Sequence, residues 1–333
     1  MEEKIIQKIK DLAEAQFEET RAIRRHMHAY PELSFNEVKT GEFISETLSK
    51  YDIPHGTGWA EHGVLAQIKG TKEGPSRVIA LRADIDALPI KEANEITYKS
   101  RNKGVMHACG HDAHTASAIG AARILNALKD EFSGTIKIIF QPGEEKLPGG
   151  ASLLIKEGIL KNPEPISIVG QHVHPPLEVG KVGIKSGMYM ASADEIYVTV
   201  KGKGGHGALP QDCIDPILIT SHLITSLQQI VSRRANPTTP TVLTFGKIES
   251  VGGATNIIPD EVKLQGTFRT MDEEWRAEAH AILIKAAEGL CQSMGASCEF
   301  NIMKGYPYLI NDESLTNKIQ KAMVQYMGQE NVV

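Results

Sequence analysis

The chain is predicted to be an α/β protein with a second domain set into the first. Three observations carry this. Up to about residue 187, strand-like runs alternate with helical ones, the order that builds a mostly parallel sheet flanked by helices. From 188 to about 300 the order becomes β-α-β-β-α-β, the split, ferredoxin-like α+β arrangement. The length, 333 residues, exceeds what one hydrophobic core usually accommodates. The division read from the sequence is therefore 1–187, an inserted domain at 188–300, and a return to the first domain at 301–333.

Each element has its own signal. Ile5, Ile9, Leu12, Ala13 and Ile23 recur near helical period, predicting one helix over 3–28. It ends in R-R-H-M-H-A-Y-P-E-L, where Pro31 forbids continuation and Glu32 follows in the turn. His26 and His28 read better as satisfied structural groups than as ligands. Asn36 is placed to cap a helix reaching about Tyr51. Val64–Ile68 and Arg77–Leu81 are strand-like, with Gly74 and Pro75 turning between them. Asp84 and Asp86 then fall just past a strand, where open α/β sheets place their sites. They read either as carboxylates that orient a ligand histidine or as turn aspartates. A helix over Thr115–Leu128, with Asp112 able to cap its start, leads to a strand at Gly134–Phe140. A helix at Ala151–Glu157 and a strand at Ile166–Val169 complete the alternation.

In the insert, Glu195–Lys201, Thr241–Glu249, Val262–Arg269 and Ser297–Met303 are strands, and Pro216–Val231 and Glu273–Leu290 are helices. Asp312 can cap a final helix through about Met327, with Leu315, Ile319, Met323 and Tyr326 on one face. Asn331–Val333 reads as a strand just starting.

The chemistry concentrates in three stretches. Met106–His114 reads M-H-A-C-G-H-D-A-H, and thiolate and imidazole are the ligands a divalent transition metal prefers. Gly110 allows a tight bend between Cys109 and His111. The competing reading is a His-rich helix start with Cys109 as a small buried hydrophobe. Glu144 and Glu145 are adjacent in Q-P-G-E-E-K-L-P-G-G, at a strand's end. Neighbouring side chains of an extended segment point opposite ways, so one carboxylate can bind a metal while the other faces the attacking water. A solvated acidic turn is the alternative. The strand ending in G-Q-H-V-H-P-P puts His172 at its exit, with His174 two residues on. Cys109, His111, Glu145 and His172 thus recur at the loops where such a sheet holds its site. In the insert, G-K-G-G-H-G-A-L-P presents His206 on a glycine-flanked loop.

Composition sets limits. A net charge of −5 and a pI near 6.2 argue against nucleic acid and against an anionic membrane surface. No apolar run reaches membrane-spanning length, and the charged amphipathic N-terminus does not read as a signal peptide. Cys109, Cys213, Cys291 and Cys298 form no disulfide or zinc-ribbon spacing, so the expected compartment is the cytoplasm.

R-R-H-M-H-A-Y-P-E-L, R-A-D-I-D-A-L-P, M-H-A-C-G-H-D-A-H, F-Q-P-G-E-E, G-K-G-G-H-G-A-L-P and N-I-I-P-D…L-Q-G-T-F-R-T occur in this order between residues 24 and 270. In them the chain resembles the dinuclear metal amidohydrolases related to aminoacylase, hippurate hydrolase and indole-acetyl-amino-acid hydrolase, within the wider glutamate-carboxypeptidase-like group. The resemblance implies a catalytic α/β domain with an inserted dimerisation, or lid, domain at 188–300, and a homodimer. It implies two divalent ions per site, Zn²⁺ or Mn²⁺, held by Cys109, His111, Glu145 and His172, with Asp84 behind them. Glu144 would be the general base and then the general acid. His206 would reach a partner's site to bind the oxyanion, and Asn256 and Arg269 would hold the substrate's carboxylate. The implied reaction is hydrolysis of an N-acyl amino acid or related small amide.

Gly143, where relatives more often carry Ala, Lys146-Leu147-Pro148 and Gly207 depart from the family's pattern in loops that shape the pocket. Two alternatives stand beside this reading: a dipeptidase or aminopeptidase on the same scaffold, and a non-catalytic metal-binding protein. The spare Glu beside Glu145 separates the last, because a closed structural site has no use for it. Relatives continue for several dozen residues through an acidic segment to a final His. The expectation is therefore a truncated chain that binds its second metal weakly, hydrolyses poorly and leaves apolar surface uncovered.

Overall fold

The computed structural model describes residues 3–250 and 252–333. The chain forms two compact units, Met1–Gly183 with Ile319–Val333, and Ile184–Lys318.

The first unit begins with α1 (Glu3–Ala15) and α2 (Phe17–Ala29). These are two helices, not the single one expected, and they part at Gln16, which is drawn inward towards the Gly120 carbonyl. α3 (Val38–Lys50) follows. Asn36 does not cap it: its amide donates to the Ser34 carbonyl, and Glu37 occupies the position before the helix. β1 (His55–Trp59), β2 (Gly63–Lys69) and β3 (Val78–Asp84) precede α4 (His111–Ala127); β4 (Thr135–Gln141), α5 (Gly150–Glu157) and β5 (Ser167–Gly170) complete the unit's sheet. The strand order is β1-β2-β4-β3-β5. The sheet is mixed, because β3 runs parallel to both β4 and β5 while β2 is antiparallel to β4 and to β1.

Helices cover both faces, and the period of two along β4 shows it. Ile138 and Phe140 pack with Met27 of α2, Ile44 and Leu48 of α3 and Ile119 of α4, whereas Ile139 turns to Leu154 of α5. Burying each such side chain contributes about 1.5–3 kcal/mol.

The second unit contains β6 (Gly187–Met190), β7 (Asp194–Lys201), β8 (Gly205–His206), α6 (Pro216–Gln229), β9 (Thr241–Ser250), β10 (Ile257–Ile258), β11 (Glu261–Thr270), α7 (Glu273–Ser293), β12 (Ser297–Lys304) and β13 (Leu309–Asn311). Its main sheet is antiparallel in the order β12-β7-β11-β9, the strand arrangement of a split βαβ pair. Leu223 and Leu227 of α6 and Leu283 and Ala287 of α7 pack on Ile196, Val198, Leu264 and Phe268. The unit runs to Lys318 where the sequence pattern placed a return at 301. β13 accounts for the difference, since it pairs antiparallel with β6 at the unit's other end. α8 (Glu313–Met327) follows, capped by Asp312, whose Oδ1 accepts from the Leu315 amide at 2.7 Å. Among the described residues no helix is long and apolar enough to cross a membrane.

Candidate metal and catalytic centre

Three neighbouring strands end together and define the site. Asp84 of β3 lies in register with Gln141 of β4, and β5 runs alongside β3 in the same direction. Asp86 therefore follows one exit, Glu144 and Glu145 the next, and His172 the third. The segment after β3 ends at Cys109, and α4 begins at His111. Gly110 between them has φ +92°, and a Cβ there would stand 2.3 Å from a Val173 methyl, so only glycine lets the ligand loop close against the His172 segment.

His111 is the centre. Its Nδ1 donates to the Asp86 backbone oxygen at 2.9 Å and lies 3.1 Å from Asp86 Oδ1. That leaves Nε2, which is buried without a hydrogen-bond partner. Around Nε2 stand Asp84 Oδ2 at 3.6 Å, Glu145 Oε1 at 3.8 Å and Glu144 Oε2 at 3.9 Å. Cys109 Sγ and His172 Nε2 approach to 3.3 Å. Three overlapping triplets share His111, each with ligand atoms within 4.8 Å of one another: Cys109–His111–His172, His111–Glu144–Glu145, and Asp84–His111–His114.

The supporting contacts are dense. Asp86 Oδ2 accepts from the Glu145 amide at 2.9 Å and the Ser34 hydroxyl at 2.7 Å, so one carboxylate fixes His111 and the Glu145 backbone together. Asp84 accepts from His114 Nδ1 at 2.6 Å and from Arg82 at 2.7 Å. His114 Nε2 in turn accepts from the Val173 amide at 2.9 Å, beside His172. His114 carries no role in the reading of the sequence above; its position three residues after His111, on the same helix face, is the signal for it. His174 belongs to none of the ligand triplets. Asp112 does not cap α4. Its carboxylate is buried and held by Arg24 and His28 instead.

Charge is crowded here. Burial would lower the His111 pKa, but the Asp86 bond, Cys109, and the charges of Asp84 and Asp86 together push it up to about 11. Burial and the neighbouring Glu145 charge raise the Glu144 carboxyl above its ordinary value. Burial opposes ionisation of Asp84 too, yet His114 and Arg82 hold it well below the usual carboxylate range. An excess of carboxylates, a thiol and imidazoles around one unpartnered buried nitrogen is a donor set that fits a divalent cation.

In the second unit, β8 pairs with β10 so that His206 lies opposite Ile257, and the Gly207 amide donates to the Asn256 carbonyl at 2.7 Å. The fold thus brings exposed His206 and Asn256 side by side, while Arg269 is exposed on β11, paired across to Val242. Gly143 also has a local cause. It has φ +60°, and an added Cβ would fall 2.3 Å from the Phe35 ring.

Fold and site together describe a hydrolase of the metal-dependent amidohydrolase kind. Residues 80–333 match the model of Peptidase family M20/M25/M40, and the chain belongs to that family. It is 43% identical over 290 residues to an N-acyl-L-amino acid amidohydrolase of Geobacillus stearothermophilus, covering 87% of this chain and 77% of the relative. It is 44% identical over 301 residues to an N-acetyl-L-cysteine deacetylase of Bacillus subtilis, covering 90% and 71%. The crystal structure of a Bacillus subtilis dinuclear metal binding peptidase from the M20 family superposes with a TM-score of 0.79 at 36% identity, covering 96% of this chain and 82% of that one.

Proposed function

We propose that the chain hydrolyses the amide bond of N-acyl amino acids, giving a carboxylic acid and an amino acid. The observation that carries this is the Glu144–Glu145 pair beside His111 Nε2, at 3.9 and 3.8 Å, with two carboxylates where a closed structural site would need one. The names of the relatives support the substrate class.

Cys109, His111, Glu145 and His172 would hold the ions, Zn²⁺ or Mn²⁺, two per site as in the related peptidase. Bound there, such ions supply Lewis-acid polarisation of the amide carbonyl and a lowered pKa for the attacking water. Glu144 takes that water's proton and returns it to the leaving nitrogen. Asp86 keeps His111 in one tautomer, and Asp84 holds His114 against the His172 segment. Asn256 and Arg269 would bind the substrate's carboxylate.

His206, exposed on its short strand, would donate to the oxyanion in a partner subunit's site, within a homodimer formed through residues 188–300. Mixing His206→Ala with Glu144→Ala protein would then restore part of the activity, and no recovery after confirmed subunit exchange removes the trans assignment. All four cysteines are free, in keeping with action in a reducing cytoplasm.

The test of the function is a panel. Zinc- and manganese-loaded protein is assayed on acetyl, benzoyl and succinyl amino acids against free dipeptides. Turnover of the acyl amino acids is expected. Turnover of dipeptides alone would make the chain a dipeptidase, and tight metal binding with neither would leave it a metal-binding protein.

A further inference from the structure

We propose that His28 is a positioning residue of the metal site, its imidazole clamping the loop around Glu92 to the first turn of α4 so that Cys109 and His111 stay in ligating position. This rests on the metal-site reading above.

The segment 85–110 links β3 to α4. It contains no helix and only isolated bridges at Ala87, Leu88 and Met106, yet it ends at one ligand, Cys109, and delivers the chain to another, His111. Something outside the segment has to fix it. Asp112 follows His111 on the same helical turn, so the two cannot move independently. Its Oδ2 accepts from Arg24 Nε at 2.7 Å and from His28 Nδ1 at 2.8 Å. The other ring nitrogen of His28 donates to Glu92 Oε1 at 3.1 Å. Glu92 in turn takes the Ser100 amide at 2.7 Å and the Asn94 amide group at 3.2 Å, which folds its loop around the carboxylate.

His28 is therefore a single buried ring that joins both sides of the ligand segment, the Glu92 loop before it and the helix start after it. Both of its nitrogens donate to carboxylates, so the ring is an imidazolium. Burial opposes that charge, but the Asp112 bond outweighs it and raises the pKa. The side chains of His28, Glu92 and Asp112 are at most 4% exposed, and two cations face two anions. Packing alone would not call for such an arrangement, because well-packed apolar side chains do as well or better for stability. Geometry is what the charged clamp adds. None of its members offers an atom to the ligand triplets.

The test reads metal affinity apart from activity. Zinc binding by His28→Ala is measured by competition with a chromophoric chelator, well below the unfolding midpoint of the metal-free protein. We expect a ten- to hundred-fold loss, roughly the range for residues that orient a ligand from behind. Ile44→Val, in the same core but outside the clamp, lowers the midpoint and leaves zinc affinity unchanged. Folded His28→Ala with zinc affinity within about threefold of wild type overturns the proposal. Should His28→Ala not fold, Glu92→Gln at the clamp's far end decides on the same threshold. A wild-type chain that holds neither zinc nor manganese overturns the metal reading and the positioning role that rests on it, whereas wild type that binds zinc and folded His28→Ala that binds it equally overturn the positioning role alone.

Discussion

Each unit contains a buried carboxylate bound to histidine and arginine, and the two clusters differ in one respect. In the second unit Asp194 accepts from Arg276 through two nitrogens, from His280 Nε2 at 2.7 Å and from the Gly305 amide at 3.0 Å. Arg276 is completed by Glu273 at 2.9 Å and the Gly305 carbonyl at 3.1 Å. Both Asp194 oxygens are occupied, and the cluster closes on itself. In the first unit Asp84 and Asp86 are as well bonded, but the histidine they surround is not: His111 Nε2 is buried and unpartnered among one oxygen each of Asp84, Glu144 and Glu145. Buried charge and shifted pKa values are common to both, so they do not mark function by themselves. What sets His111 apart is its company: its unpartnered Nε2 lies among the oxygens of three carboxylates, with Cys109 and His172 beside it.

The largest effect expected from this contrast is catalytic. Glu144→Gln keeps the shape of the carboxyl but cannot accept the water's proton. Turnover should fall by about 10²–10⁴, which is roughly 3–5 kcal/mol of barrier. Calorimetry should show metal binding nearly unchanged. Turnover at the wild-type rate would remove Glu144 from the base role.

The closed cluster should respond in stability alone. Asp194→Ala leaves Arg276 and His280 without their acceptor and should destabilise the second unit by about 3–5 kcal/mol. The chain has two tryptophans, Trp59 on β1 and Trp275 on α7, one in each unit. Trp275 fluorescence in a Trp59→Phe background therefore reports the second unit, and zinc affinity should not move. The pH dependence has a definite sign. His280 and Arg276 outweigh burial and hold the Asp194 carboxyl well below its ordinary value. Its stabilisation is complete above the unfolded value of about 3.9 and is lost as pH falls towards the depressed one. The Trp275 signal should show acid unfolding below about pH 4 that Asp194→Ala has already forfeited; an unchanged acid profile would mean the pair contributes nothing.

Asp86→Ala should fall between. It strips His111 Nδ1, the Glu145 amide and the Ser34 hydroxyl of a shared acceptor. Metal affinity should drop about 10- to 100-fold. Equal loss of Trp275-reported stability would show that the two clusters are not independent.

Much of this was legible in the sequence, and the two units were legible for different reasons. In the second unit period decided the four strands of the main sheet and its two helices. Glu195–Lys201, Val262–Arg269 and Ser297–Met303 lie within one residue at each end of their observed strands, because alternation against two amphipathic helices leaves little choice. The first unit's candidate ligand residues stand out by type and position at strand exits, and the fold brings Cys109, His111 and His172 together. What failed there was local chemistry. β1, H-G-T-G-W, has no apolar alternation to announce it, being the outer member of a hairpin with β2. Asn36 and Asp112 look like caps, but Asn36 turns back to the Ser34 carbonyl and Asp112 is claimed by Arg24 and His28. The pairing of β13 with β6 depends on contacts that period does not encode.

The smallest prediction turns on that failure of caps. Asp272 and Asp112 both stand at helix starts, and their surroundings send them opposite ways. Asp272 precedes α7 in extended conformation, and its Oδ1 accepts from the Glu274 and Trp275 amides, both at 2.9 Å. Those amides have no partner within the helix, so the carboxylate satisfies what the backbone cannot. At α4 the residue before the helix is Gly110, and Asp112 turns away from the helix end to Arg24 and His28. Asp272→Ala should therefore cost about 1 kcal/mol, within a range of roughly 0.5–2, read as a lowered denaturation midpoint of Trp275 fluorescence in Trp59→Phe protein. Asp272→Asn, which can still accept, should recover most of it. Neither change should alter zinc affinity. Asp112→Asn, although the same substitution at a helix start, should weaken zinc binding and gain nothing from capping, because the ion pairs with Arg24 and His28 are what it loses. If the two Asn variants behaved alike in both measurements, the distinction between a helix cap and an inward-facing carboxylate would not hold.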